Sequence, residues 1–220
     1  MPASGWQQRG TFVAGLLSEA VCMRGENTAC VEVRLSPLIA RAMLGVSPVD
    51  LDGSTIALDD VWGRQGARIR EQLDDATSWE DRFALTDALL ARQRGRGPTV
   101  DPEVAWGWER IVASRGRVRV EDLAIETGWS RKRLWGRFRS QIGLPPKRVA
   151  RLVRFHHAAH RLASGESVSQ IAAECGYADQ SHLHREVRAF TAMAPTTLAD
   201  TPGLKADDVA WAGRGVGDAS

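Results

Sequence analysis

The second half of the chain contains an internal repeat, and this repeat restricts the fold more than any other feature of the sequence. One copy carries Ala124, Gly128, Leu134 and Phe138 at offsets 0, 4, 10 and 14, and the other carries Ala172, Gly176, Leu183 and Val187 at offsets 0, 4, 11 and 15. The copies are 48 residues apart up to the glycine and 49 residues apart beyond it, so one residue is inserted after the glycine. A pattern that occurs twice predicts a duplicated module, because a solenoid needs about three units or more.

Each copy has the pattern of a helix-turn-helix. A short amphipathic helix ends at a glycine, which supplies the left-handed conformation of a tight turn, and a longer amphipathic helix follows. The small residue four positions before the glycine lets the two helices cross closely, and the large apolar residue packs the second helix back onto the first. The second helix of such a unit presents its exposed N-terminal residues to the major groove of DNA. The repeat therefore predicts two recognition helices, at about residues 130–141 and 179–190.

One helix is predicted to connect the two modules. The stretch PPKRVARLVRFHHAAHRLASG begins at Pro145, where proline is tolerated in a first turn, and Gly165 lies just beyond the last helical residue, Ala163. A helix of this length measures about 28 Å, which approaches the roughly 34 Å of one turn of B-DNA. The spacing predicts that the recognition helices enter successive major grooves on one face of the duplex.

The net charge of +2 hides an uneven distribution. Residues 115–161 hold 13 Arg or Lys and only three acidic residues, a net charge of +10, whereas residues 1–100 have a net charge of −2. Such a basic segment indicates a surface for a polyanion such as nucleic acid. The alternative is an ordinary solvated surface, since the excess of Arg over Lys is also typical of a GC-rich genome.

The first hundred residues predict a small α+β region. The segments TFVAGLL (11–17) and ACVEVRL (29–35) flank the turn-prone RGEN and predict paired strands. Three helical patterns follow, SPLIARAMLG, DDVWGRQGARIREQL and SWEDRFALTDALLARQ; the third begins with a capping box at Ser78. Its apolar residues from Trp79 to Leu90 favour core packing over a dimer contact.

We therefore expect a mainly α chain with four parts. Residues 1–93 form an N-terminal regulatory or dimerisation region with two or three short strands and then helices. Residues 94–102, RGRGPTVDP, are a linker, residues 103–200 are the duplicated domain, and residues 201–220 are a flexible Gly- and Asp-rich tail.

The stretch ECGYADQSHLHREV (174–187) contains residue types that bind zinc or perform acid–base chemistry. His182 and His184 lie about 200° apart around a helix, so they cannot bind the same metal ion. Cys175 near the end of the preceding helix fits a small buried apolar residue. Without a catalytic sequence motif elsewhere, we predict no enzyme, no metal and no cofactor. Two alternatives remain: a thiol-based repair or sensor protein that uses Cys175, and a ligand- or partner-binding module whose helical repeat is only a scaffold.

The sequence predicts a cytoplasmic, nucleoid-associated protein with no membrane partner. It has no apolar run of eighteen residues, and its first ten residues lack the pattern of a signal peptide. Its three cysteines show no metal-ligand spacing, which suits a reducing compartment.

From Glu103 to about Leu198 the sequence resembles the AraC/XylS family of bacterial transcription regulators. The motif GYADQSH, followed by Leu183, Arg185, Phe190 and Pro195, carries most of the likeness, and SRKRLWGRF and GLPPKR match the first module. The resemblance implies seven helices, with two helix-turn-helix units joined by a long helix, in an activator or repressor. It also implies double-stranded DNA and RNA polymerase as partners, and a small-molecule effector or a homodimer through the N-terminal region.

The resemblance also assigns positions to the DNA interface. Groove-facing sites are Lys132, Trp135 and Gly136 in the first recognition helix, and Gln180, Ser181, His182, His184 and Arg185 in the second. Ser130 would cap the first recognition helix and contact phosphate. Apart from the resemblance, Arg131 and Arg139 are expected to contact phosphates, or to be merely solvated, rather than to read sequence. Gly136 stands where the family usually has Arg, so that base contact is either absent or supplied by Arg133 or Arg137. Ala192, Ala194 and Leu198 replace the commoner Gly, Ser and Tyr.

Overall fold

The structure, a computed structural model, describes residues 10–16, 30–95 and 97–199. Its elements in chain order are β1 (Phe12–Ala14), α1 (Pro37–Leu44), β2 (Thr55–Ala57), α2 (Leu58–Trp62), α3 (Arg64–Asp75), α4 (Trp79–Gln93), α5 (Pro102–Ala113), α6 (Val120–Glu126), α7 (Arg131–Ile142), α8 (Pro146–Ala163), α9 (Val168–Glu174), α10 (Gln180–Thr191) and α11 (Pro195–Ala199). The RGEN turn and the predicted tail after residue 200 lie outside these described residues.

The N-terminal strand pairs with a different partner from the predicted one. β1 is antiparallel to β2, with Phe12 opposite Ala57. Residues 30–35 form no regular strand, and Val33 is 42% exposed, so the prediction of a strand there was wrong. Strand propensity reflects fit to a packed, pleated surface, and the alternating valines do not by themselves select a pairing partner.

The predicted helix over 59–73 is two helices, because the chain reverses at Gly63. This glycine has φ 57° and ψ −136°, which interrupts the helix between α2 and α3. Gly66 then packs against the backbone of Leu58, whose carbonyl oxygen would lie 2.7 Å from a Cβ at position 66. Glycine at both positions permits a helical pair where hydrophobic periodicity alone predicted one continuous helix.

The helices α1 and α4 begin as predicted. Pro37 opens α1 and Gly45 ends it in the left-handed conformation, while the Ser78 hydroxyl accepts a hydrogen bond from the Asp81 amide at the start of α4. However, Trp79 and Phe83 are 44% and 55% exposed, so the prediction that they face the core was wrong. The buried residues of α4 are instead polar, Thr86 and Gln93.

The seven helices α5–α11 form the predicted duplicated domain. α6 and α7 are the first helix-turn-helix, α9 and α10 are the second, and α8 joins them. The recognition helices α7 and α10 lie within one residue of their predicted bounds. The mainly α composition, with one two-stranded sheet in the described part of the N-terminal region, confirms the predicted fold class.

Two apolar clusters hold the modules on opposite ends of α8. The first contains Trp108 and Leu134, both fully buried, and the second contains Leu183, also fully buried. Phe155 on α8 packs against both clusters and stacks on Phe190 with a centroid distance of 4.6 Å. Each large apolar side chain buried in this way contributes about 1.5–3 kcal/mol to folding. The long helix therefore fixes the relative position of the two modules.

The N-terminal region contacts the first module where α7 ends. α1 packs against α7, and the Pro48 carbonyl oxygen would lie 2.8 Å from a Cβ added at Gly143. At the end of the predicted linker, the Asp101 amide donates to Gln141 Oε1 at 2.7 Å. The first recognition helix is thus in direct contact with residues that precede the duplicated domain. No helix in the described ranges is both long and apolar enough to span a bilayer.

Candidate nucleic-acid interface

The first recognition helix opens with a capped, exposed turn. The Ser130 hydroxyl accepts a hydrogen bond of 3.2 Å from the Arg133 amide, which confirms the predicted cap. Ser130, Arg131 and Lys132 are all exposed. Because a helix N-terminus carries unpaired amides and a positive partial charge, this turn is a favourable position for a phosphate group.

Further along α7, the exposed side chains of Trp135 and Arg139 lie near Gly136, which has no side chain. Trp135 is 48% exposed, and the Arg139 guanidinium lies 5.4 Å from the centroid of its ring. Gly136 is half-buried, and a Cβ added to it would meet no atom within 4 Å. The surface therefore has room for a side chain at position 136 and lacks one.

The two arginines next to Gly136 make contacts with other parts of the domain. The Arg133 guanidinium lies 4.4 Å from the ring centroid of Trp129, and Arg137 Nε lies 3.5 Å from the Asp101 carboxylate. Neither guanidinium replaces the side chain that position 136 lacks in this arrangement. Whether the base contact at position 136 is absent or is supplied by one of these arginines stays a prediction.

The second recognition helix has an acidic cap. The Asp179 carboxylate accepts a hydrogen bond of 2.6 Å from the His182 amide. Four of the predicted groove-facing residues are exposed on this helix: Gln180, Ser181, His184 and Arg185. Arg185 Nε donates to the Ser181 carbonyl oxygen at 3.3 Å, which holds the base of the arginine side chain along the helix surface.

His182, the fifth predicted groove-facing residue, is turned partly inward. Its side chain is 37% exposed, its Nδ1 accepts a hydrogen bond of 3.4 Å from the Ala178 amide, and its Nε2 lies 3.5 Å from Glu186. The ring also meets the edge of the Tyr177 ring at a centroid distance of 5.3 Å. His182 is therefore engaged within the module to a greater extent than its four neighbours.

A buried charged cluster beneath α10 was not predicted from the sequence. Glu186 is 3% exposed and accepts from Arg154 Nη2 of α8 at 3.1 Å, and Arg151 Nε lies 3.7 Å from the same carboxylate. The Arg154 guanidinium lies 4.9 Å from the centroid of the Tyr177 ring. Burial, reinforced by the Glu186 carboxylate, raises the pKa of the Tyr177 hydroxyl. One signal was available: Glu186 lies three residues after Leu183 and directly before Val187, on the apolar face of the helix.

Cys175 lies at the edge of a cleft between the modules and is only 2% exposed. The cleft has a volume of about 340 Å³ and is lined by Arg115, Arg117, His157, Arg161, Ala173, Glu174 and Cys175. Burial raises the pKa of the Cys175 thiol, although Arg161 Nη1 lies 3.7 Å from its sulfur. Because the thiolate is the nucleophilic form, the environment of Cys175 opposes thiol chemistry.

Arg161 of this cleft is paired with two carboxylates. Arg161 is bound to both Glu166 and Glu174. The hydrogen bond from Arg161 lowers the pKa of Glu166, and hydrogen bonds from Gln170 and then Arg161 lower the pKa of Glu174. Within the described ranges, no group of three His, Cys, Asp or Glu side chains is arranged to hold a metal ion.

Comparisons with known proteins place residues 123–201 in a known type of domain. This segment, from α6 to α11, matches the family model described as a helix-turn-helix domain. No curated protein gives a significant match. A solved structure of ToxT from Vibrio cholerae is 18% identical in sequence and has a TM-score of 0.42; the alignment covers 63% of this chain and 55% of that chain. The chain thus spans about half the length of that structure.

Proposed function

We propose that this chain, whose residues 123–201 match a helix-turn-helix domain, is a sequence-specific DNA-binding transcription regulator of the AraC type. It reads duplex DNA by inserting α7 and α10 into two successive major grooves. Affinity comes mainly from basic side chains that contact phosphates, and specificity comes from the two recognition helices.

The observation that carries this proposal is the pair of exposed, polar N-terminal turns on two equivalent recognition helices. Ser130 to Lys132 open the first, and Gln180 and Ser181 open the second, all on the solvent side of a well-packed module. The 18 residues of α8 between the modules span about 27 Å. This length supports the reading of adjacent major grooves, whose centres are about 34 Å apart.

The exposed residues of α10 have chemistry suited to base edges. Arg185 can donate two hydrogen bonds to a guanine, a contact that discriminates against other bases by about 1–3 kcal/mol. Gln180 can likewise form two hydrogen bonds with an adenine, and His184 is the third candidate for a base contact. His182 contributes less to base reading, because its Nε2 faces Glu186.

The first module has a more hydrophobic and more basic reading surface. Lys132 and Trp135 are its candidate base contacts, with Trp135 placed to touch a thymine methyl group. Arg131 and Arg139 are phosphate contacts. Gly136 makes no side-chain contact with DNA, so we expect fewer specified base pairs in the first half-site than in the second.

The caps of the two recognition helices give the modules different phosphate contacts. Ser130 has a neutral hydroxyl that can cap its helix and approach a phosphate, whereas Asp179 carries a negative charge at the equivalent place. A carboxylate repels a phosphate at close range. The first module therefore contacts the backbone through its cap, and the second does not.

The N-terminal region supplies regulation in this proposal. Its contact with α7 at Gly143 offers a route by which an effector or a second subunit acts on the first recognition helix. The protein works in the bacterial cytoplasm, binds promoter DNA beside RNA polymerase, and activates or represses according to where its site lies. It performs no catalysis of its own.

The proposal is tested by selecting binding sites from a random duplex library at two salt concentrations. The expected result is a two-part motif whose half-site centres lie about one helical turn apart. Arg185→Ala and His184→Ala should each relax one half of that motif. Arg188→Ala is the matched control, since Arg188 is exposed on the same helix one turn further from its N-terminus and should leave base preference unchanged.

Failure has a clear form in the same experiment. Binding that enriches no sequence and only weakens as salt rises would leave a non-specific basic surface and overturn the proposal. A single-part motif would retain DNA reading but overturn the claim that both modules read bases.

A further inference from the structure

Positions 137 and 186 are equivalent in the internal repeat, and each carries a charged residue that pairs with an element preceding its module. Arg137, directly before Phe138 on α7, pairs with Asp101 at the start of α5. Glu186, directly before Val187 on α10, pairs with Arg154 on α8. The two recognition helices therefore have ion pairs of opposite polarity at the same place.

The two ion pairs differ in burial. The side chains of Arg137 and Asp101 are 51% and 33% exposed, and their closest charged atoms are 3.5 Å apart. The side chains of Glu186 and Arg154 are 2% and 17% exposed, and their closest atoms are 3.1 Å apart. An exposed pair is screened by solvent and contributes little, whereas breaking one partner of a buried pair is strongly unfavourable.

The Glu186 carboxylate is fixed from several directions. Arg154 Nη2 reaches both of its oxygens, Arg151 approaches one of them, and His182 Nε2 lies 3.5 Å away on the same helix. A buried carboxylate held in this way restricts both rotation and sliding of α10 relative to α8, which apolar contacts around Leu183 resist less specifically.

Arg154 is itself held in a fixed position. Its backbone nitrogen would lie 2.8 Å from a Cβ added at Gly116, so the loop after α5 packs directly on this part of α8. Its guanidinium also covers the ring of Tyr177, which lies in the turn between α9 and α10. One arginine of the connecting helix thus contacts the loop after α5, the turn of the second module and its recognition helix.

We propose that Glu186, through its buried pair with Arg154, is a positioning residue that sets the angle at which the second recognition helix enters the major groove. Glu186 touches no base; it keeps Gln180, His184 and Arg185 aligned with the base edges. The inference rests on the proposed DNA-binding function. It predicts that the second half-site depends on this ion pair, while the first half-site has no such dependence on its exposed counterpart.

The test compares Glu186→Gln with Asp101→Asn in the full chain. Each variant replaces one carboxylate by its isosteric amide and breaks one of the two equivalent pairs. Binding is measured on the duplex selected by the wild-type protein and on duplexes with single base changes in either half-site, well below the melting temperature of each variant. Glu186→Gln should lower discrimination in the second half-site by about tenfold, near the lower end of what a base contact supplies. Asp101→Asn should keep discrimination in both halves within about twofold, as an exposed pair predicts.

A second variant keeps the test decisive if Glu186→Gln folds poorly. The double variant Arg154→Met, Glu186→Met removes both charges and fills a similar volume, a change that buried pairs often tolerate without loss of stability. It should remain folded by circular dichroism and bind non-specific DNA as the wild type does, yet read the second half-site less selectively. A merely structural role would change the melting temperature without a change confined to one half-site.

The outcomes separate this inference from the proposed function. If the wild-type protein selects no sequence, the proposed function fails and the positioning role fails with it. If the wild type selects a two-part motif and the double variant retains full discrimination in the second half, only the positioning role is overturned. A loss spread equally over both halves also overturns it.

Discussion

Gly143 and Ala192 occupy equivalent places in the two modules, and both end a recognition helix in the left-handed backbone conformation. Gly143, with φ 95°, is the C-cap of α7, and Ala192, with φ 57°, is the C-cap of α10. The amide of each donates to the carbonyl oxygen four residues earlier, on Arg139 and Arg188 respectively. The second module therefore forms the same turn as the first although it lacks the glycine.

The alanine should carry a measurable conformational cost. A non-glycine residue in the left-handed conformation lowers the stability of the folded chain by roughly 1–2 kcal/mol. A glycine removes this strain but itself lowers stability by about 0.5–1 kcal/mol, because it loses more conformational freedom on folding. Ala192→Gly should accordingly stabilise the protein by about 0.5–1 kcal/mol, measured by urea unfolding.

Gly143→Ala is the matched opposite change. It introduces the same strain and also places a Cβ 2.8 Å from the Pro48 carbonyl oxygen. A loss of about 2 kcal/mol is expected from strain and overlap together. If the two substitutions change the free energy of unfolding in the same direction, the account of these turns is wrong.

The duplicated domain could be predicted because its signals are local and occur twice. Gly128 and Gly176 each end the first helix of a module, and Leu134 and Leu183 are fully buried in its core, as the repeat indicated. The agreement of two copies compensates for the weakness of either pattern alone. The candidate DNA-contacting positions in α7 were implied by the family resemblance, not by the repeat itself.

The N-terminal region was less predictable because its structure depends on non-local pairing and on single glycines. The partner of β1 lies about forty residues away in sequence, beyond α1, and no local signal at Val31 or Val33 excludes the nearer pairing. The inward position of Glu186 was also not predicted. A single acidic residue on an apolar helix face is stabilised there only by its ion pair with Arg154, which lies on another helix.

Position 136 offers a direct test of the reading surface. Gly136 lies in the interior of α7 with open space around its absent side chain, so Gly136→Ala should stabilise the helix by about 0.5–1 kcal/mol. Gly136→Arg places a cation on the proposed DNA surface. It should steepen the dependence of log Kd on log salt by about one unit, because one more phosphate contact releases about one counterion.

The control for position 136 is an added arginine away from the interface. Ala84→Arg adds the same charge on an exposed position of α4 in the N-terminal region. It should leave the salt dependence of binding unchanged. An equal effect of both variants would mean that α7 does not face DNA.

Cys175 should be chemically inert in the folded protein. Its burial and raised pKa predict that N-ethylmaleimide modifies exposed Cys30 first, and that Cys175 reacts only when a denaturant unfolds the chain. Peptide mass mapping distinguishes the sites, and Cys30 is the internal control for reagent activity. Rapid native modification of Cys175 would instead revive the thiol-sensor interpretation.

The ultraviolet absorbance of tyrosinate is a specific probe of the packing of the second module, because Tyr177 is the only tyrosine in the chain. Its pKa is raised by burial and by Glu186, so the folded protein should form no tyrosinate at a pH near 10, where an unfolded chain does. Because the pKa of Tyr177 is higher in the folded than in the unfolded protein, the contribution of its neutral hydroxyl to folding stability is fully present below about pH 10. That contribution is lost as pH rises through the folded-state pKa.

Ultraviolet difference absorbance with and without denaturant measures both titrations of Tyr177. Tyr177→Phe removes the tyrosinate signal and should flatten the loss of stability above about pH 10, which separates this residue from the general effect of alkali. Glu186→Gln should lower the folded-state pKa of Tyr177, because it removes the carboxylate that disfavours a second negative charge nearby. An unchanged titration in that variant would mean that Glu186 does not act on Tyr177, and the charged cluster beneath α10 would then be smaller than described.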